Sequence, residues 1–525
     1  MKFDTICIVG GGSAGWMTAS TLIKAFPEKK ITLVESPNVP TVGVGESTTQ
    51  FIRRWLHFLE LNDEDWMPAC NATYKLSVRF QNFHKLNDDP FHYPFGSLSS
   101  TSGLNSELDW FIAKWKDPSI PNSDYGRTFW DVYYSIENGL IPEKFGNYDL
   151  KKDSGFHFDA VKFAIWLRDN YAKPRGVEHI QAHVGEIEQK EDSSISKLIL
   201  EDGRELVADL YFDCTGFKSL LLNETLKVPF KSFNNKLLNN KAWAVQIPYI
   251  NKREQLKPYT NCTALSSGWV WNVPVWHRIG TGYNYSDQHI SDDDALQEFQ
   301  DHLISNGNTL TEDLTFRNIT FRTGIAERIW YKNVIGIGLS AGFIEPLESN
   351  GLLSVHEWLM FFIDIVDGRE NLTTMDKDAF NVKCLHTFIT FSDFVALHYA
   401  LTSRNDSSYW RYITEEYEFS KHVVEDTYNF SKSFENTCKI RLEDVSKLYN
   451  FNWETFAGGM CLFAGHNINP MNRIKYNDAV FNGGQEYFDQ VTMKNVLHNR
   501  EEKETYQKEN FPVALDYYLG GLYAN

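Results

Sequence analysis

A β-branched run, Ile6-Cys7-Ile8-Val9, leads straight into Gly10, Gly12 and Gly15, and this leaves a chain few ways to fold. The G-x-G-x-x-G spacing after a strand and ahead of a helix predicts a β-α-β unit that binds a dinucleotide. Gly10 permits the tight turn, Gly12 lets the backbone approach a pyrophosphate, and Gly15 lets the helix pack close on the sheet. Trp16 to Phe26 reads as that helix, whose free N–H groups and partial positive charge favour phosphates. Ser13 and Ala14 complete the turn as candidate cofactor contacts. Ile31-Thr32-Leu33-Val34-Glu35 reads as the second strand, with Glu35 about 20 residues on, where a ribose-binding acid is expected. The alternative is a glycine-rich turn in some other β-α unit.

The 525 residues leave room for two to four domains or one large α/β body. A net charge of −18 argues against nucleic acid or an anionic membrane as partner. The seven cysteines are scattered and form no C-x-x-C, so neither a disulfide framework nor a metal site is expected. No apolar run approaches the ~18 residues of a membrane span, and the N-terminus enters a strand directly rather than a signal peptide. A cytoplasmic enzyme is the expectation.

After Glu35, Pro37, Pro40, Gly43 and Gly45 make a loop that can lie along the cofactor or be an ordinary connection. Glu46 to Thr49 can cap a helix over Gln50 to Leu59. Glu64 to Ala72 reads as helical and Tyr74 to Phe80 as a strand; Lys75 in that strand, taken alone, reads as a solvent-exposed cation. Asp159 is an N-cap for a helix running to Ala172. Glu178 to Leu210 alternates as a β-meander. Ala208 to Gly216 reads as a strand ending in Asp213 and Gly216, either a second contact for flavin adenine dinucleotide (FAD) or a plain turn. Lys241 to Pro248 and Gly268 to Tyr285 read as strands. Val334 to Gly342 is a buried strand into a glycine-rich turn, and the helix Leu352 to Val366 has its N-terminus aimed at a ligand. From Gly368 to about Ala464 the pattern is helical; the tail beyond has no assignment.

Gly268-Trp269-Val270-Trp271-Asn272-Val273-Pro274 resembles the G-W-x-W-x-I-P signature of the flavin-dependent tryptophan halogenase family. Glu345-Pro346-Leu347-Glu348-Ser349-Asn350-Gly351 is similar to its E-P-L-E-S-T-G, and Val42 to Thr48 to its flavin strap. Gly10 to Trp16 and Ala208 to Phe217 resemble its FAD segments, and His398-Tyr399 through Trp410 its H-Y…R-x-D…W segment. The likeness covers about residues 3 to 470. It implies an α/β (α+β) fold: a Rossmann-like FAD-binding module with mixed sheets over 1–367, carrying substrate-site insertions at about 75–175, and a mainly helical substrate module over 368–525. It implies Lys75 and Glu348 as catalytic residues, with Val44, Gly45, Glu46, Ser47, Leu339 and Ile344 added to the cofactor contacts. Asn350 and Gly351 are implied at the halide, Tyr93, Phe95, Ser349 and Trp453 at the substrate, and Trp269 and Trp271 as the wall between flavin and substrate. For the tryptophans, core packing is the plain alternative.

The implied reaction uses reduced FAD, O2 and halide to make hypohalous acid, which travels to Lys75. There it is hydrogen-bonded or forms a haloamine, and Glu348 accepts the proton lost by the arene. A separate flavin reductase is implied, because no second nucleotide fingerprint is present, and a homo-oligomer is expected. Asn350 replaces the usual Thr, Tyr93 the usual His, and Ile325 an Arg; no Tyr-Tyr…Glu pattern accompanies Trp453. These departures predict indole, phenol or another electron-rich arene, or a carrier-bound one, over free tryptophan, with bromide or iodide over chloride. Competing readings are a single-component aromatic monooxygenase and a non-catalytic FAD-binding protein.

Overall fold

The computed structural model describes residues 2–38, 46–99, 110, 117, 119–419 and 493–524. The N-terminal strand Thr5–Val9 lies inside a six-stranded sheet. Across it run Glu178–Gln181, Lys30–Glu35, Thr5–Val9, Leu210–Asp213, Val334–Gly336 and Trp330–Tyr331, all parallel but the last. Parallel strands covered on both faces are apolar throughout, which is why Ile6 to Val9 and Val334 to Ile337 show no alternation. Helix Ser13–Ala25 follows the first strand, and Leu353–Val366 packs against it. The meander splits. Its end strands join the parallel sheet, while Val184–Gln189, Ile195–Leu200 and Glu205–Leu206 form a separate antiparallel sheet.

A seven-stranded sheet carries Gly268–Val275 near its middle and Ser77–Gln81 and Phe91–Pro94 at one side. A small sheet sets Gly155–Phe158 between Glu46–Ser47 and Thr73–Lys75. The single strand expected over Tyr74 to Phe80 is therefore two. Leu76 breaks it, its N–H going to Pro258 and its carbonyl to the Phe95 N–H, and the halves enter different sheets. The helix expected over Gln50 to Leu59 is Ile52–Phe58 with Phe51 at its N-cap, so none of Glu46 to Thr49 caps it, and the Thr48 hydroxyl accepts from the Phe156 N–H instead. The helix expected from Glu64 to Ala72 is the shorter Asp63–Trp66, closed by an Asn62/Asp65 capping box. Asp159 caps as expected, accepting from Val161 and Lys162 N–H.

The tail forms helices Met493–Asn510 and Ala514–Gly520. One hydrophobic cluster runs from Phe3 through Phe362, Phe380 and Trp410 to Tyr518, on both sides of position 367. Among the described residues no helix is long and apolar enough to cross a membrane, and no His/Cys/Asp/Glu group could hold a metal.

Candidate active site

The carboxyl ends of adjacent parallel strands bring the glycine segments together, as open α/β sheets do at their ligand crevices. Gly10 has φ +112°, and a Cβ there would stand 2.3 Å from the Cys214 carbonyl oxygen. A Cβ on Gly15 would stand 1.9 Å from the Gly10 carbonyl oxygen, so only glycine fits either place. Gly338, in the turn after the Val334–Gly336 strand, faces Ala14, at 3.1 Å between methyl and ideal Cβ. The Ser13 hydroxyl donates to Ala160 O at 3.2 Å, and Leu339 lies in the turn Gly338–Ser340. Glu35 covers Gly11 and accepts from the Trp16 indole at 3.1 Å. This floor, closed to side chains and leading into the N-terminus of helix Ser13–Ala25, fits a dinucleotide pyrophosphate. Asp213 is turned inward: it accepts from the N–H groups of Thr215, Leu221 and Leu222 and from the Thr215 hydroxyl. Its carboxylate shapes the loop at Gly216. Val44 and Gly45 lie outside the described residues, as does Trp453. Glu46 is enclosed against Gly351, and burial pushes its carboxyl up to about 7.

Lys75 is not an exposed cation. It has no solvent-accessible surface, and the break at Leu76 explains why. Its strand is the edge of the small sheet, with its end turned toward the loop Glu345–Gly351. The ammonium donates to Ser349 Oγ at 2.5 Å and stands 5.1 Å from the ring centre of Phe95. Burial lowers it from 10.5 to about 7, against the opposing charge of Glu348 and the Cys262 thiol. Ser349 has φ +57°, which turns its side chain back toward the lysine.

Glu348 is buried and lies 2.9 Å from His398 Nε2. His398 Nδ1 faces the carbonyls of Val395 at 3.0 Å and Phe394 at 3.2 Å. A carbonyl only accepts, so Nδ1 is the nitrogen that donates there and Nε2 is the one turned to the Glu348 carboxyl. Glu345 is enclosed by the Tyr399 hydroxyl and the Trp269 indole, and burial pushes it up to about 7. Trp269 is fully buried and Trp271 half-buried, their rings 6.0 Å apart. Asn350 Nδ2 donates to Glu345 O at 2.8 Å, so this amide stitches its own loop.

A cavity of about 440 Å³ opens beside these groups. Tyr93, Phe95, Ile344, Glu348, Asn350, Trp358, Phe361, Phe391 and Phe394 line it, with Asp153, Glu357 and His386. No Arg or Lys is among the described lining residues. Tyr93, Phe95 and Glu348 line this cavity, and Lys75 and Ser349 stand beside it through the contact of Lys75 with Phe95. His157, Thr260 and Tyr518, which no local sequence pattern singles out, are also drawn in beside the lysine strand. His398 stood in a recognised motif without an assigned task.

The family model for tryptophan halogenases matches residues 5–482. The tryptophan 6-halogenase SttH of Streptomyces toxytricini is 35% identical over 435 residues, 78% of this chain and 80% of that one. Among solved structures, VirX1 in its apo form superposes with a TM-score of 0.88 at 36% identity over 100% of both chains. BrvH, a flavin-dependent halogenase from Brevundimonas sp. BAL3, superposes with a TM-score of 0.83 at 30% identity over 99% of each.

Proposed function

The chain belongs to the tryptophan halogenase family and is a flavin-dependent halogenase; from that premise we propose that Lys75 delivers hypohalous acid to an electron-rich arene other than free tryptophan. The observation that carries the delivery is the enclosed Lys75 ammonium, bonded to Ser349 and set over the ring of Phe95, which itself lines the cavity. Gly10, Gly12, Gly15 and Glu35 would hold FAD, with Ser13, Ala14, Leu339 and Ile344 around it; when bound and reduced by a separate reductase, it would supply the oxidising chemistry that turns halide and O2 into hypohalous acid. The backbone at Asn350 and Gly351 receives halide.

Burial holds the Lys75 ammonium far below the ordinary lysine value, so it can donate to the reagent's oxygen or, as the amine, take its halogen. Glu348 takes the proton released when the arene rearomatises, and His398 holds the carboxyl in place for it. Trp269, Trp271 and the enclosed Glu345 keep flavin and substrate compartments apart, so that hydroxylation does not compete.

A zwitterion needs a partner for each charge, and an unpaired carboxylate in such a cavity is costly. The described wall offers carboxylates and aromatic faces but no Arg or Lys, which favours indole, phenol or a similar neutral arene. Bromide and iodide, easier to oxidise and to desolvate, are the favoured halides. The test is product mass spectrometry with reduced FAD, O2, and tryptophan, indole or phenol against each halide. Halogenated indole or phenol, most abundant with bromide or iodide, is expected. Highest kcat/KM for tryptophan with chloride would overturn the substrate assignment, and hydroxylated product without halogen would overturn the delivery step.

A further inference from the structure

A line of hydroxyls runs from Lys75 to a second enclosed titratable side chain, His157, to which the delivery step gives no task. Ser349 Oγ accepts from Lys75 Nζ at 2.5 Å and from Ser47 Oγ at 3.0 Å. Ser47 Oγ lies 2.8 Å from Thr260 Oγ1, which lies 2.9 Å from His157 Nε2. Every member except Ser47 is buried, and Ser47 is half-buried. The placement follows from the small sheet. Its middle strand sets His157 opposite Ser47 on one side and Thr73 on the other, and Lys75 ends the Thr73 strand. On the far side of the ring, Nδ1 is 3.5 Å from the Thr73 hydroxyl, and Pro274 supplies a backbone carbonyl. That leaves Nε2 as the nitrogen turned to Thr260.

We infer that Ser349, Ser47 and Thr260 form a proton path along which the Lys75 ammonium passes a proton to His157. The inference rests on Lys75 being the halogen carrier. The step balances without any electron transfer. One N–H bond breaks at Lys75, each hydroxyl takes one proton and gives one, and an N–H bond forms at His157 Nε2. Hydroxyls rotate to suit either partner, so the line can point from lysine to imidazole or back. Lys75 then becomes the nucleophilic amine without water entering a compartment that holds hypohalous acid.

The energetics suit a relay rather than a trap. Facing Lys75 are Glu348 and Cys262, which favour the ammonium, while burial opposes it and brings it to about 7. Burial first and the Lys75 charge second hold His157 well below its ordinary value, and the second cause lapses as the ammonium gives up its proton, so the imidazole becomes a better acceptor as the transfer proceeds. Ser47 directly follows Glu46 in the segment assigned to the flavin, which places the path where the reagent arrives.

Thr260→Val keeps the shape of the side chain and cuts the line between Ser47 and His157; Thr260→Ser restores the hydroxyl. Single-turnover bromination of indole is followed from about pH 6 to about pH 9, in H2O and D2O. Thr260→Val should be slower by about 100-fold near pH 7, with the deficit shrinking as pH rises and solvent base replaces the path. The isotope effect should lose its dependence on several protons, and Thr260→Ser should match the natural protein. In flavin-free protein, 15N-lysine NMR should show slower exchange of the Lys75 ammonium protons with water in Thr260→Val. Unchanged exchange and an unchanged pH profile would overturn the path. So would a pH-independent loss that Thr260→Ser does not repair. If the natural protein brominates nothing, the delivery reading falls, and the exchange measurement still decides the path.

Discussion

The glycine cradle and the lysine cluster are built in opposite ways. The cradle is made of consecutive residues at the ends of neighbouring parallel strands, and it works because side chains are missing. The lysine cluster takes Ser47, Lys75, His157, Thr260, Ser349 and His398 from separate segments, and it works because buried polar groups meet. One is a steric device and the other an electrostatic one, so the two should fail differently. A steric lesion should lose the cofactor. A polar lesion should keep the cofactor and lose the chemistry.

The sharpest way to test that difference is Lys75→Ala. Removing the group that positions the reagent should lower halogenation by about 1000-fold or more, while reduced FAD is still oxidised at near its usual rate. Product yield and flavin absorbance measured together separate the two. Gly15→Val is the complementary lesion. Its Cβ would meet the Gly10 carbonyl oxygen at 1.9 Å, and backbone cannot give way cheaply. Overpacking of this kind costs about 1–3 kcal/mol or more, roughly 5- to 150-fold in FAD Kd, read by titration of flavin fluorescence. If Gly15→Val binds FAD normally and Lys75→Ala does not, the division between the two regions is wrong.

The same contrast explains what could be read in advance. Gly10, Gly12, Gly15 and Glu35 follow one another along the chain, so a spacing rule reaches all of them. Asp213 was legible as a strand-end acid, but its inward turn to Leu221 and Leu222 depends on how the next loop folds. Lys75 was legible only through resemblance. By alternation it is an exposed strand residue, and nothing local announces that Leu76 breaks the strand and sends Lys75 inside. Thr260 and His157 meet across 103 positions of sequence, where no periodicity acts. The short helix at Ile52 illustrates the same limit. Glu46 to Thr49 offered capping side chains, but the helix starts only after Phe51, and Thr48 bonds a strand more than a hundred residues away.

The tail carries this furthest and gives the smallest expected effect. Thr73–Lys75 is an edge strand, and edge amides need partners. The Tyr74 N–H donates to the hydroxyl of Tyr518 at 2.6 Å, across 444 positions, and the rings of the two tyrosines stack at 6.1 Å. Tyr523 adds its hydroxyl to the carbonyls of Met67 and Ala72, at 3.0 and 2.9 Å. The tail thus clamps the strand one residue before the lysine. Tyr518→Phe keeps the stack and nearly the volume and removes the hydroxyl that accepts from Tyr74. A buried amide left without one costs about 1–3 kcal/mol, which should appear as a lower denaturation midpoint. Lys75 should shift slightly, so halogenation should fall several-fold while FAD affinity stays within error, because the cradle shares none of these contacts. An equal loss in FAD affinity would show that the tail braces both regions together, and the electrostatic cluster would then not be separable from the steric one.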